Sequence, residues 1–93
     1  MYVILVYDIA TDTKEGQRRL IRVMKKCRQY LHHTQKSVFE GEISYGRLME
    51  LKVAIGKIID HNKDYVVIYK LENKNSLVRE NIGIDFDPTD NIL

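Results

Sequence analysis

Asp8 ends the run YVILVYD, residues 2 to 8, in which six apolar or aromatic residues are followed at once by a carboxylate. A charge is costly to bury in such surroundings, so its place there asks for a reason. One reason is metal chemistry. Magnesium takes hard oxygen ligands, commonly one or two carboxylates with waters and phosphate oxygens. A cation held there would generate a water nucleophile for phosphodiesters. A single Asp is a thin magnesium site, and a second copy of the chain would bring a second carboxylate. Two such charges about 4 Å apart repel by about 4 kcal/mol at an effective dielectric near 20, which a divalent cation or a shared proton relieves. Three plainer readings stand beside this one: Asp8 begins a loop, caps a neighbouring group, or pairs with one of the arginines that follow.

The basic residues point to the same substrate class. On a helical wheel Lys14, Arg18, Arg22 and Lys25 form one stripe, flanked by Arg19, Lys26 and Arg28. Together they are seven of the fifteen basic residues, and they lie opposite the apolar face. A charge run is usually a solvated helix face. Here, however, Glu15 is the only acid between residues 13 and 39, so few intrahelical ion pairs can form. A stripe of one sign suits a phosphate backbone. Lys14, Arg18, Arg19, Arg22 and Lys25 are therefore the candidate nucleic-acid contacts.

Other chemistry is set aside. His32 and His33 are adjacent and point to opposite sides of a strand, and His61 lies in a turn. No cysteine pair has zinc spacing. Cys27 falls on the apolar side of its helix and reads as a core thiol. No glycine-rich phosphate loop is present. KSVFEG lacks the aromatic pattern of an RNA-recognition strand. DFDPTD has no spaced Glu to complete a calcium loop and reads as an acidic tail.

The elements that must position these residues follow from periodicity. Residues 2–9 read as a strand. Asp12 and Glu15 have capping-box spacing, with Thr13 the alternative cap, and a helix follows to about Tyr30. The polar stretch 32–44 reads as one amphipathic or edge strand ending at Gly41. Ser44 caps a second helix with Leu48, Leu51, Ile55, Ile58 and Ile59 on one face. DHNKD, residues 60–64, is turn chemistry, YVVIYKL, 65–71, a second strongly apolar strand, and 76–84 a weaker strand. The expected class is α+β, a ferredoxin-like βαββαβ domain over 1–84 with a tail over 85–93. The first strand and 65–71, the two most apolar, are expected in the middle of the sheet. Two helices cover one sheet face, so a homodimer is expected to cover the other.

Length and composition agree. Ninety-three residues, 44% apolar and 30% charged, suit one folded domain, and the net charge of +2 makes placement matter more than sum. The lone Cys27 excludes an intrachain disulfide and fits a reducing cytoplasm. No apolar run approaches the roughly 20 residues of a membrane span, so no leader or membrane partner is expected.

The stretches MYVILVYDIATD, RRLIRVMKKCRQYLHHTQKSVFEGEIS and IIDHNKDYVVIYKL resemble the small subunit of the CRISPR adaptation machinery, the family called CRISPR-associated protein Cas-two. The resemblance runs from residue 1 to about residue 84. It implies a homodimer with the Asp8 pair at its cleft, holding Mg2+ as the metal and catalytic centre. It implies metal-dependent cleavage of single-stranded RNA or double-stranded DNA. It also implies partnership with an integrase of the Cas-one kind, whose dimers the family bridges during spacer capture. Arg18 and Arg19 match basic residues near the phosphate path. Tyr7, Ser37 and Phe39 match positions linked to activity, and Arg28 is nearest to a late helix arginine. A nuclease, a DNA-binding scaffold with an idle site, and an RNA-cleaving toxin of the same fold are the three readings it leaves.

Overall fold

Alternation decides the first strand. In β1 (Tyr2–Asp8), Val3, Leu5 and Tyr7 point to one side and are buried, and β-branched and aromatic residues favour the extended chain. Thr13, the alternative, and not the capping-box Asp12, then caps α1 (Lys14–Arg28), its hydroxyl accepting from the Gly16 amide at 3.0 Å. Glu15 in the first turn and Lys25, Lys26 and Arg28 in the last suit the helix dipole. Ser44 caps α2 (Tyr45–Ile58) in the same way, its hydroxyl accepting from the Arg47 amide at 3.2 Å. In the computed structural model, which describes residues 1–84, these join β2 (His32–Gln35), β3 (Val38–Glu42) and β4 (Tyr65–Leu71) in the order βαββαβ.

All pairings are antiparallel and the strand order is β2-β3-β1-β4. The βαββαβ order of the expected class is thus present, although the elements expected one by one run strand, helix, strand, helix, strand, strand, and three of those assignments are corrected. Residues 32–44 are not one strand: they form a hairpin that turns at Lys36 and Ser37. The middle strands are β1 and β3, and 65–71 is at the edge. Residues 76–84 form no strand; a short 3-10 turn at Lys74–Ser76 leads into irregular chain. The hairpin hides because no residue in its turn needs a left-handed backbone, so no glycine or Asn-Gly marks it. The proposed tail, 85–93, lies outside the described residues.

The helices pack on one face of the sheet. Val3, Leu5, Tyr7 and Phe39 meet Val23 and Cys27 of α1 and Leu48, Leu51 and Ile55 of α2 in one core. Burial pushes the Cys27 thiol up to about 12, which suits packing and not nucleophilic chemistry. Register places Tyr2, Ile4, Val6 and Asp8 on the opposite face, beside Val38 and Glu40 of β3 and Tyr65, Val67, Tyr69 and Leu71 of β4. Among the described residues no helix covers this face, and Tyr65 and Tyr69 are 65% and 57% exposed upon it. Among the described residues no helix is long and apolar enough to cross a membrane.

Candidate functional site

Asp8 is the last residue of β1, held between the buried side chains of Tyr7 and Ile9. Alternation therefore turns its carboxylate outward, onto the helix-free face. It is exposed and makes no hydrogen bond or ion pair among the described residues. The plainer readings of Asp8 as a cap or an arginine partner thus do not describe this structure. Its cross-strand neighbour is Tyr65.

The chain that leaves Asp8 is tightly built. Gly16, in the first turn of α1, comes so close that an added Cβ would lie 1.9 Å from the Ala10 carbonyl oxygen. Gln17 Nε2 donates to the Thr11 carbonyl at 3.3 Å. The Ala10 amide donates to Asp64 Oδ1 at 3.0 Å, across from the loop before β4. The same carboxylate accepts from the Asp60 amide at 2.8 Å and from Arg19, Nε at 2.8 Å and Nη2 at 3.4 Å. Burial by itself would raise the Asp64 carboxyl, but Arg19 and the two amides outweigh it and hold it below the usual carboxylate range. The hydrogen bond to Asp64 in turn raises Arg19.

The basic helix divides. Lys14, Arg18, Arg22, Lys25 and Arg28 are exposed. Arg19 is not part of that surface: its side chain is 14% exposed and turned into the ion pair. Tyr7, Ser37 and Phe39 do come together. The Tyr7 amide donates to the Ser37 carbonyl at 3.0 Å, its hydroxyl donates to the Lys36 carbonyl at 2.5 Å, and its ring lies 6.0 Å from that of Phe39. Tyr7 and Phe39 are buried on the helix side of the sheet, so they support the strand end from behind and do not face a ligand. Ser37 is exposed at the hairpin turn. His33, stacked on Phe39 at 4.4 Å, approaches the Lys36 carbonyl at 3.2 Å, where Nε2 must be the donor.

Two features were invisible to pattern. Asp64 sits in a segment that reads only as a turn. Glu40 lies buried in β3 on the helix-free face, where Tyr2 donates at 2.7 Å, Thr34 at 2.9 Å, and Arg79 returns to pair with it. Burial opposes ionisation of Glu40, but these donors lower its carboxyl overall. Burial and then the Glu40 contact push the Tyr2 hydroxyl up to about 12.

No group of three or more His, Cys, Asp and Glu gathers to hold a metal among the described residues. Asp8 offers one hard, unpartnered oxygen donor set. That fits magnesium's habit of taking few carboxylates and completing its shell with water and phosphate oxygens.

A four-stranded antiparallel sheet backed by two helices in the order βαββαβ defines a ferredoxin-like domain, here with an open carboxylate at the end of its first strand. The family described as CRISPR associated protein Cas2 matches residues 1–77, and the chain belongs to it. It is 48% identical over 91 residues to the CRISPR-associated endoribonuclease Cas2 2 of Moorella thermoacetica, covering 98% of this chain and 100% of that protein. It is 42% identical over 93 residues to the CRISPR-associated endoribonuclease Cas2 of Fusobacterium nucleatum, covering 100% of this chain and 87% of that protein. The crystal structure of Streptococcus pyogenes Cas2 at pH 6.5 superposes with a TM-score of 0.79 at 32% identity, covering 89% of this chain and 100% of that one.

Proposed function

We propose that this chain is a magnesium-dependent endonuclease of CRISPR adaptation, acting as a homodimer on single-stranded RNA or double-stranded DNA. The observation that carries the reading is Asp8: an exposed, unpartnered carboxylate at the end of a strand whose surroundings are otherwise fixed. Relatives at 48% and 42% identity bear the name endoribonuclease. The second copy would cover the face that carries Ile4, Val6, Val67 and the exposed Tyr65 and Tyr69. Asp8 of each copy would hold the cation. When bound, the cation supplies Lewis-acid polarisation of a phosphodiester oxygen and a water of lowered pKa. Arg18, Arg22 and Lys25 bind the backbone and set where the strand lies. The buried Tyr7 and Phe39 keep β1 and the hairpin turn in place.

A second reading has its own observation. One chain assembles only one such carboxylate, and no multidentate set accompanies it among the described residues. This favours a DNA-binding scaffold that joins integrase dimers without cutting. Cleavage of single-stranded RNA and duplex DNA, with and without magnesium, separates the two. For the nuclease we expect magnesium-dependent products from wild type and none from Asp8→Asn, with the dimer unchanged by sedimentation. Equal cleavage by both proteins rejects Asp8 as the centre. Absence of cleavage by wild type, with duplex binding retained, establishes the scaffold.

A further inference from the structure

The Asp64 carboxylate is the hub of the Asp8 end of the molecule, and its chemistry is more specific than an ordinary ion pair. Each oxygen receives two donors. Oδ1 accepts from the Ala10 amide at 3.0 Å and Arg19 Nη2 at 3.4 Å. Oδ2 accepts from Arg19 Nε and the Asp60 amide, both at 2.8 Å. The Asp64 side chain is 0% exposed. Four donors converge on four lone-pair positions, and only an ionised carboxylate can accept them all. Asn would turn an NH2 group toward one pair of donors. Lys at position 19 would present a point charge where the site needs a flat fork.

The hub ties its own loop to two stretches remote in sequence, 54 and 45 residues away. Ala10 lies two residues beyond Asp8, Arg19 is on α1, and Asp60 lies after α2 in the same loop as Asp64, leading to β4. Tyr65, the neighbour of Asp64 in sequence, is the cross-strand partner of Asp8. The carboxylate thus grips the chain on both sides of the β1–β4 pair at the point where Asp8 emerges. Gly16 closes the same gap from the helix side, leaving no room for the loop to relax inward.

We propose that Arg19 and Asp64 are positioning residues for Asp8: Arg19 acts on the site through the Asp64 carboxylate and the Ala10 amide, and does not bind phosphate. It sits one residue from the exposed Arg18, in a helix that otherwise presents a basic stripe, yet it works for the opposite side of the site. The inference rests on the nuclease reading for its cleavage readout and is independent of it for the others.

The test compares Arg19→Ala, Arg19→Lys and Asp64→Asn with wild type in three measurements. Groups that support a metal ligand change metal affinity by about 10- to 100-fold when removed. We expect the magnesium midpoint for cleavage to rise in that range in Arg19→Ala and Asp64→Asn, with the rate largely recovered at saturating magnesium. Arg19→Lys, which keeps the charge without the fork, falls between. The slope of log affinity against log salt on duplex DNA stays at the wild-type value in Arg19→Ala. Exchange of the Ala10 amide accelerates at least about tenfold, since its acceptor is lost or misaligned. A slope flattened by about 0.9 per Arg19 removed, with Asp64→Asn showing the wild-type magnesium midpoint and Ala10 exchange, would overturn the assignment. Should Asp64→Asn fail to fold, Arg19→Lys decides on the same readouts: a wild-type magnesium midpoint and Ala10 exchange rejects the clamp. A wild type that cuts nothing rejects the nuclease reading alone, and the salt slope with Ala10 exchange still decides whether Arg19 serves the loop or the phosphate.

Discussion

Two carboxylates at one end of the sheet have opposite circumstances. Asp64 is sealed from solvent and receives two amides and both arms of a guanidinium fork. Asp8, beside it across the β1–β4 pair, is exposed and receives nothing among the described residues. The first has every lone pair engaged in holding loops together. The second has all of them open to a ligand. The contrast shows how a small domain divides its charges between architecture and chemistry. A buried carboxylate is tolerable only when fully satisfied, and an exposed one contributes little to the fold.

The largest effect belongs to Asp64→Ala. It leaves the part-buried Ala10 and Asp60 amides without their acceptor, at up to about 1–3 kcal/mol for each donor. A large drop in urea midpoint with an unchanged m-value would confirm it, and a midpoint equal to wild type would show the hub to be dispensable.

Acid should reveal the same dependence. Asp64 and Glu40 both have carboxyls held below their ordinary values. A carboxylate whose folded pKa is depressed stabilises the fold above its unfolded value, about 4, and that contribution disappears as pH falls through the folded value. Wild-type stability should therefore fall on acidification below about pH 4, and Asp64→Asn should show a shallower acid limb from a lower starting point. Parallel acid limbs would mean that Asp64 does not titrate with folding.

Gly16→Ala follows in size. Alanine improves helix propensity by about 1 kcal/mol, but its Cβ would lie 1.9 Å from the Ala10 oxygen. The obstacle is backbone, so the loop or the helix must move, at about 1–3 kcal/mol for overpacking. We expect net destabilisation and a weakened Ala10–Asp64 contact. A stabilised variant would show that the gap between helix and loop is wider than described.

The smallest effect on stability is expected from the double replacement of Arg18 and Arg22 by Ala, within about 0.5 kcal/mol of wild type. Its effect should appear in binding. Loss of four phosphate contacts per dimer flattens the salt slope on duplex DNA by about 3 to 4 units. An unaltered slope would show the stripe to be only a solvated surface.

Much of this was legible in the sequence because it depends on local chemistry. The first strand ending at Asp8, the Ser44 cap and the inward faces of both helices follow from period and residue type, whereas the first helix is capped by Thr13, the alternative to the capping-box Asp12. What escaped depends on contacts between distant segments. The apolar run 65–71 reads as central, yet its Val66 and Ile68 reach the core from an edge strand. The hairpin at Lys36 and Ser37 has strands of four and five residues and no turn signature. Arg19 shares the charge and the helix of Arg18, and only the presence of Asp64, forty-five residues away, sets it apart. Gly16 carries no pattern at all; its meaning lies in the closeness of Ala10.

Asp8→Asn tests the division between the two carboxylates most directly, with urea unfolding and magnesium-dependent cleavage measured on the same preparation. Loss of cleavage with a midpoint at or slightly above wild type is the expected result, because an unpartnered surface charge contributes nothing to hold the fold. A variant destabilised by more than about 1 kcal/mol would show that Asp8 serves the fold, and a variant that still cuts with magnesium would show that its open carboxylate is not the centre of the chemistry.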